Sequence, residues 1–211
     1  MDKARLEKLF SEERLKPYYL RLEDYKEAIK LYKANIQLSE AFYTSLSVLE
    51  ITLRNAIHQS CKRYFNDDYW FRNKLPKDLV SQVTDTENKI HLGHKIPTSD
   101  RIVSELTFGF WTTLFNRKYA SLLWKPLHQI FIHTPHPLRQ RAEISPRLNT
   151  IRAFRNRVYH YEPVSWSFAM LQNQHEIIIE ILNWLDSDIA TWISDIDRLP
   201  GLLKEYSKKQ L

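Results

Sequence analysis

Glycine is scarce in this chain, with only 3 among 211 residues, where average usage would give roughly 15. Glycine adopts positive φ angles most readily, so its scarcity disfavours the tight turns of β-hairpins. The 43% hydrophobic and 27% charged residues are typical of a globular rather than a disordered chain. These proportions predict an all-α fold of long helices joined by short polar links.

Cysteine and long apolar runs are also lacking. The single cysteine, Cys61, excludes an internal disulfide framework and fits a reducing cytosol. The first segment, MDKARLEKLFSEER, is charged throughout and does not resemble a signal peptide. The longest apolar run, 177–182, is interrupted by Glu180 and is too short to cross a bilayer. We therefore expect a cytoplasmic protein with no membrane partner.

Positive charge is in moderate excess, with a net charge of +6 and a pI near 9.3. Such an excess favours a polyanionic partner such as RNA, although a protein can also be basic without one. The tract 137–147 is by default a solvated segment, but it precedes the candidate site and can guide an RNA backbone toward it. The arginines proposed to contact RNA are Arg139, Arg141, Arg147 and Arg157.

Two histidine pairs raise the question of a metal site. His91 and His94, like His133 and His136, lie in predicted loops or at the ends of elements, without cysteines nearby. Zinc sites usually have a tighter ligand pattern. We therefore expect solvated histidines, no metal and no cofactor.

Apolar periodicity and turn residues predict a single α-helical domain over residues 1–211, because no repeat or low-complexity linker divides the chain. The helices are predicted at about 3–13, 22–35, 39–65, 77–90, 99–115, 122–132, 145–160, 167–185 and 189–196. Pro17 is expected to end the first helix, and Ser145-Pro146 to begin the helix that Pro163 ends. Long helices at both ends of the chain are typical of a helical bundle.

The helix before Pro163 carries an arginine in an apolar stripe. At about 100° per residue, Leu148, Ile151, Phe154 and Val158 share one sector that must face the core. Arg155 projects inside that sector. A buried guanidinium is costly unless it is paired and hydrogen-bonded, so the sequence should contain a matching carboxylate.

Glu50 is the candidate for that carboxylate. It interrupts the leucines of 46-LSVLEITLRN-55 as Arg155 interrupts its own stripe, and Arg54 follows one turn later. We hypothesise that the two helices pack together and that Glu50 holds Arg155 by a bidentate pair. The alternative is that both long side chains extend to solvent.

The residues around Arg155 suit RNA cleavage without a metal. Attack by a 2′-hydroxyl on the adjacent phosphate needs a base that works near neutral pH, a role that suits His160. Arg155 can meet the charge on the phosphoryl oxygens, and Asn156 can bond the phosphate or orient the imidazole. Three further side chains can contact phosphate or stack on a base: Arg152, Tyr159 and Tyr161.

Three blocks of sequence carry a family resemblance. The string 155-RNRVYH-160 resembles the Arg-x4–6-His signature of HEPN-type ribonucleases. The stretches 49-LEITLRNAI-57, 106-LTFGFWTTLF-115 and 148-LNTIRAFRNRVYHYEP-163 look like the abortive-infection (Abi-like) branch of that superfamily. The family-like core covers about 18–185, which leaves a helical tail at about 186–211.

The resemblance implies a HEPN-like helical bundle with additional helices, often a homodimer that brings two motifs into one cleft. It implies metal-independent endoribonuclease activity in antiphage defence or as a toxin. A toxin neutralised by an antitoxin is a further alternative that differs in control rather than chemistry, and a phage-derived trigger is another candidate partner. Arg155 and His160 would be catalytic, with Asn156 as their polar neighbour.

A non-catalytic module that binds RNA or protein is the alternative to the ribonuclease. In such a module Arg155 and His160 would lock the helix end or a dimer interface. Catalysis requires His160 to be solvent-accessible beside Arg155 and Asn156, whereas a structural role predicts a buried His160 bonded to the backbone.

Overall fold

Twelve α-helices joined by short links make up most of residues 2–208, the part of the chain that the computed structural model describes. They are α1 (Lys3–Phe10), α2 (Glu12–Arg21), α3 (Tyr25–Phe65), α4 (Trp70–Asn73), α5 (Lys77–Leu92), α6 (Ser99–Glu105), α7 (Phe108–Thr113), α8 (Ala120–His128), α9 (Arg141–Tyr159), α10 (Phe168–Leu185), α11 (Ser187–Ser194) and α12 (Leu199–Lys208). No strand occurs within these residues, so the predicted all-α class is confirmed. None of the helices in this range is long and apolar enough to span a membrane.

The 41-residue helix α3 is the axis of the fold. Asp24 caps its first turn by accepting from the Lys26 N–H, and Asn66 ends it in the left-handed conformation with φ 52°. Its buried stripe includes Leu38, Phe42 and Leu49. Helices α2, α7, α8, α9, α10 and α12 all pack on it, so residues along α3 contact both ends of the sequence.

The predicted break in α3 at 35–39 is wrong. Asn35 and Ser39 are residues that often favour turns because their side chains compete for backbone hydrogen bonds. Here the Asn35 side chain instead accepts from the backbone N–H groups of Val164 (2.7 Å) and Ser165 (3.0 Å). The helix therefore continues through this point without interruption.

Two helix boundaries predicted from prolines are also wrong. Pro17 lies inside α2, and α9 begins at Arg141 and runs through Pro146. Pro146 lacks the N–H that would reach the Ala142 carbonyl, but both residues are exposed, so water can satisfy that oxygen.

The predicted helix over 99–115 is divided into α6 and α7. Thr107 starts α7 by accepting from the Phe110 N–H with its side-chain oxygen (3.2 Å). Downstream, the basic residues after Gly201 belong to α12 up to Lys208. The rest of the predicted tail, 209–211, lies outside the described residues.

Candidate functional site

Helix α9 presents the predicted apolar stripe to the core. Leu148 and Ile151 are fully buried, and Phe154 and Val158 nearly so. Phe154 meets Phe42 of α3 edge to face, with ring centroids 4.6 Å apart. This packing fixes the rotation of α9 and directs Arg155 toward α3.

Arg155 and Glu50 form the ion pair predicted from the two stripes. Arg155 Nη2 lies 3.3 Å from Glu50 Oε2, and the side chains are 26% and 21% exposed. The contact is single rather than bidentate as predicted. Arg155 Nε is closed off from solvent and has no hydrogen-bond partner in the described part of the chain. The pair is therefore present, but part of the guanidinium is not satisfied by protein.

One tyrosine packs on this ion pair, and a second stacks on the first. The Arg155 guanidinium carbon lies 3.9 Å from the centroid of the Tyr159 ring, a cation–π contact. Tyr159 in turn stacks on Tyr43 of α3, with centroids 6.2 Å apart and planes 28° from parallel. Burial is the largest effect on the Tyr159 phenol and raises its pKa. The hydroxyl therefore stays protonated at neutral pH.

His160 ends α9 and its side chain is exposed. Its backbone N–H donates to the Asn156 carbonyl (2.9 Å), and its side chain makes no hydrogen bond or ion pair within residues 2–208. Asn156 is also exposed and lies one helical turn earlier, on the same flank. The chain then turns at Tyr161, which has a positive φ of 59° and is 74% exposed.

Arg155 and His160 do not contact each other in one chain. Positions five apart on a helix leave it in directions about 140° apart. Arg155 accordingly faces α3, while His160 and Asn156 face solvent. The structure places Asn156 and His160 one turn apart on the exposed flank of α9. It groups Arg155 separately with Glu50 and Tyr159.

Arg54 and Arg152 flank the ion pair and hold neighbouring segments. Arg54 Nη1 donates to the Ser104 carbonyl at the end of α6 (3.2 Å). Arg152 Nη1 donates to Thr113 Oγ1 in α7 (3.1 Å). These contacts fasten α6 and α7 to the helices that carry Glu50 and Arg155.

The proposed RNA-binding arginines are not gathered around Arg155. Arg147 forms ion pairs with Glu143 (2.8 Å) and Glu180 (2.9 Å), and it lies eight residues, about 12 Å along α9, before Arg155. Arg139 donates to the His128 carbonyl (3.2 Å). Intramolecular contacts thus already occupy these two cations.

Arg157 and Arg141 differ in their surroundings. Arg157 donates to the Pro163 carbonyl and lies 3.4 Å from Glu162, so it braces the turn after His160. Arg141, at the start of α9, has no hydrogen bond or ion pair among the described residues. Among the four arginines proposed to contact RNA, Arg141 is therefore the one that can bind a phosphate without giving up an intramolecular contact.

Two residues that position the site were not identified from the sequence. Asn35 anchors the chain just after the motif through the Val164 and Ser165 N–H groups. Arg14 of α2 donates to the Tyr161 carbonyl. A signal for Asn35 was available, since a polar residue occupies a buried position of the α3 stripe. No local pattern marks Arg14, whose partner is 147 residues away.

The four histidines considered as metal ligands are all exposed: His91, His94, His133 and His136. Within residues 2–208, no group of three or more His, Cys, Asp or Glu side chains is arranged to hold a metal ion. The polar chemistry of the candidate site therefore comes from arginine, histidine, asparagine, tyrosine and a single paired carboxylate.

No protein-family profile, curated protein or solved structure matches this chain. The resemblance to HEPN-type and Abi-like proteins accordingly stays a prediction carried by the motifs in the sequence. The geometry around Arg155 and His160 is the observation on which a function can be argued.

Proposed function

We propose that the protein is a metal-independent endoribonuclease in which His160 is the general base and Arg155 stabilises charge on the phosphate. The observation that carries the proposal is the exposure of His160 beside Asn156, with no side-chain bond in the described residues. A histidine that only locked the helix end would be buried and bonded to the backbone. The role in antiphage defence or as a toxin rests on the sequence resemblance.

The reaction follows from the groups present. Neutral His160 takes the proton of an RNA 2′-hydroxyl as that oxygen attacks the adjacent phosphorus. The bond from phosphorus to the 5′-oxygen breaks, and that oxygen takes up a proton from water. The products end in a 2′,3′-cyclic phosphate and a 5′-hydroxyl. Arg155 offers N–H donors to the phosphoryl oxygens as negative charge accumulates on them.

His160 does not lie beside Arg155 in one chain, so the proposal requires a site shared between two copies. Because the two side chains leave α9 in directions about 140° apart, one phosphate is poorly placed to meet both from a single chain. In a homodimer, Arg155 of one copy and His160 of the other can face the same phosphate. The homodimer is part of the proposal.

Total cellular RNA with EDTA present provides the first test. We expect wild type to release fragments ending in 2′,3′-cyclic phosphate, and His160→Ala to lose about 10²–10⁴-fold in rate, as for loss of a general base. Arg155→Lys keeps the charge but not the paired donors, and we expect a loss of about 10²-fold or more. His133→Ala, which removes an exposed histidine elsewhere, should cleave like wild type.

A mixing experiment tests the shared site. Neither Arg155→Ala nor His160→Ala should cleave alone, but a heterodimer of the two has one composite site with both groups intact. Recovery of cleavage on mixing supports the shared cleft, and no recovery in proven heterodimers places both groups in one chain. Cleavage that survives in His160→Ala would mean that the catalytic base lies elsewhere.

A non-catalytic binding module is the second candidate, and one observation favours it. Arg155 is already paired with Glu50 and covered by Tyr159, as a purely structural arginine would be. Intact RNA with every folded variant, together with retained RNA binding, would select this alternative.

A further inference from the structure

A pocket of about 730 Å³ lies beside the motif, between α1, α2, α3 and the end of α9. Five aromatic rings line it, and we call it the aromatic pocket: Phe10, Tyr32, Tyr43, Tyr159 and Tyr161. Its volume is within the range of about 300–1,000 Å³ typical of small-molecule sites. Tyr43 and Tyr161 are 60% and 74% exposed, so much of this aromatic surface is open to a ligand.

The aromatic pocket borders the motif through two tyrosines of its wall. Tyr159 lines it and also carries the Arg155 guanidinium on its ring, at 3.9 Å. Tyr161, on the other side of His160 in the sequence, lines it too. Tyr159 therefore separates a ligand in the pocket from Arg155 by one aromatic ring.

The polar groups in the pocket wall match the edge of a nucleobase. Glu40 Oε1 accepts from Arg198 Nη2 (2.6 Å), which positions the carboxylate. Oε2 and the second lone pair of Oε1 remain available as acceptors. The Ser39 hydroxyl is closed off from solvent, so Glu40 is the group of this wall that can reach a base. An ionised carboxylate only accepts hydrogen bonds, so the wall favours a base that presents donors.

We propose that the aromatic pocket binds one base of the RNA substrate, stacked on Tyr43 and bonded to Glu40, and that it prefers guanine. Guanine presents its N1–H and N2–H donors side by side, which suits a carboxylate, whereas uracil presents a single N–H between two acceptors. Stacking on aromatic side chains is the usual way in which proteins hold unpaired bases. The guanidinium of Arg14 at the pocket, which has N–H groups beyond the one donated to Tyr161, can meet the adjoining phosphate. The inference rests on the proposed function for its substrate.

Binding of the four nucleoside 5′-monophosphates tests the pocket without requiring cleavage. The probes are titrated by calorimetry into wild type. We expect GMP to bind about tenfold or more tightly than UMP. Tyr43→Ala should weaken GMP binding roughly tenfold, the loss of one stacking contact. Glu40→Gln should remove the preference for GMP, because the amide replaces one accepting oxygen by a donor.

Tyr64→Ala is the matched control. Tyr64 is a partly exposed tyrosine of the same helix, 42% exposed, and it lies 21 residues, roughly 30 Å, from Tyr43. It should bind GMP like wild type. Thermal unfolding of each variant shows that the chain is folded.

The outcomes separate the pocket from the catalytic proposal. GMP binding with the expected losses, but intact RNA, would keep the pocket and reject the ribonuclease. The pocket would be rejected and the ribonuclease kept if wild type cleaves RNA but binds the four nucleotides equally. The same conclusion holds if wild type cleaves RNA and Tyr43→Ala binds GMP as tightly as wild type does. If both hold, RNA cut by wild type should show guanine enriched at one fixed position beside the cut.

Discussion

The Glu50–Arg155 pair should contribute measurably to folding stability, and a double-mutant cycle can isolate its contribution. At the observed 3.3 Å, Coulomb attraction is worth about 1 kcal/mol in water and about 5 kcal/mol at an effective dielectric constant of about 20. With both side chains about three-quarters buried, the pair lies between these limits, and desolvation and lost side-chain freedom offset much of the attraction. We expect a coupling energy of about 1–2 kcal/mol.

The assay is urea unfolding of wild type, Glu50→Ala, Arg155→Ala and the double mutant. Loss of the Tyr159 contact occurs in both variants that lack Arg155, so it cancels in the cycle. The coupling should decrease only modestly in high salt, since partly buried charges are weakly screened.

An exposed pair whose carboxylate also lies on α3 provides the control. Arg198 Nη2 lies closer to Glu40 Oε1, at 2.6 Å, but both side chains are 64% exposed. Exposed pairs typically contribute about 0.2–1 kcal/mol, so this cycle should give a smaller coupling despite the shorter distance. Equal couplings for the two pairs, or a Glu50–Arg155 coupling below about 0.3 kcal/mol, would refute the reasoning from burial.

Two further predictions concern buried polar groups. Asn35→Ala leaves the Val164 and Ser165 N–H groups buried without their acceptor. We expect the free energy of unfolding, measured in urea, to fall by about 2–4 kcal/mol. A decrease below about 1 kcal/mol would show that water replaces the amide. His58 is buried and its Nδ1 accepts from Trp70 Nε1, and burial lowers its pKa. The folded state favours the neutral ring. The contribution of His58 to the free energy of unfolding is therefore fully present above the unfolded pKa of about 6.5 and is lost as the pH falls below it. His58→Gln should lessen the drop in urea midpoint between pH 7.5 and 5.5, and an equal drop in both proteins would contradict this.

Local sequence was sufficient to predict which face of α9 is buried and which carboxylate pairs with Arg155. The stripe of Leu148, Ile151, Phe154 and Val158 fixed which face of α9 is buried, because helical periodicity depends only on spacing. It therefore also placed Arg155 at the edge of the core. The matching interruption at Glu50 predicted a partner 105 residues away, since a charge near the core needs a counter-charge.

Boundaries were predicted less well where a distant contact outweighed a local preference. Asparagine is locally unfavourable inside a helix. The Asn35 side chain, however, accepts hydrogen bonds from the backbone N–H groups at 164–165, and α3 stays continuous. Residue spacing along one helix also could not show whether every N–H group of the Arg155 guanidinium would find a hydrogen-bond acceptor. That depends on the position of a second helix, and the contact with Glu50 proved to be single.

By itself, the sequence determined the all-α class, the buried face of each long helix and the order of charged and aromatic residues on α9. These follow from residue spacing and from the cost of burying an unpaired charge. The tertiary structure alone decided that residues from α1, α2, α3 and the turn after α9 enclose the aromatic pocket. Its walls are more than 100 residues apart in the chain, and only the packing of α2 and α9 on α3 brings them to one place.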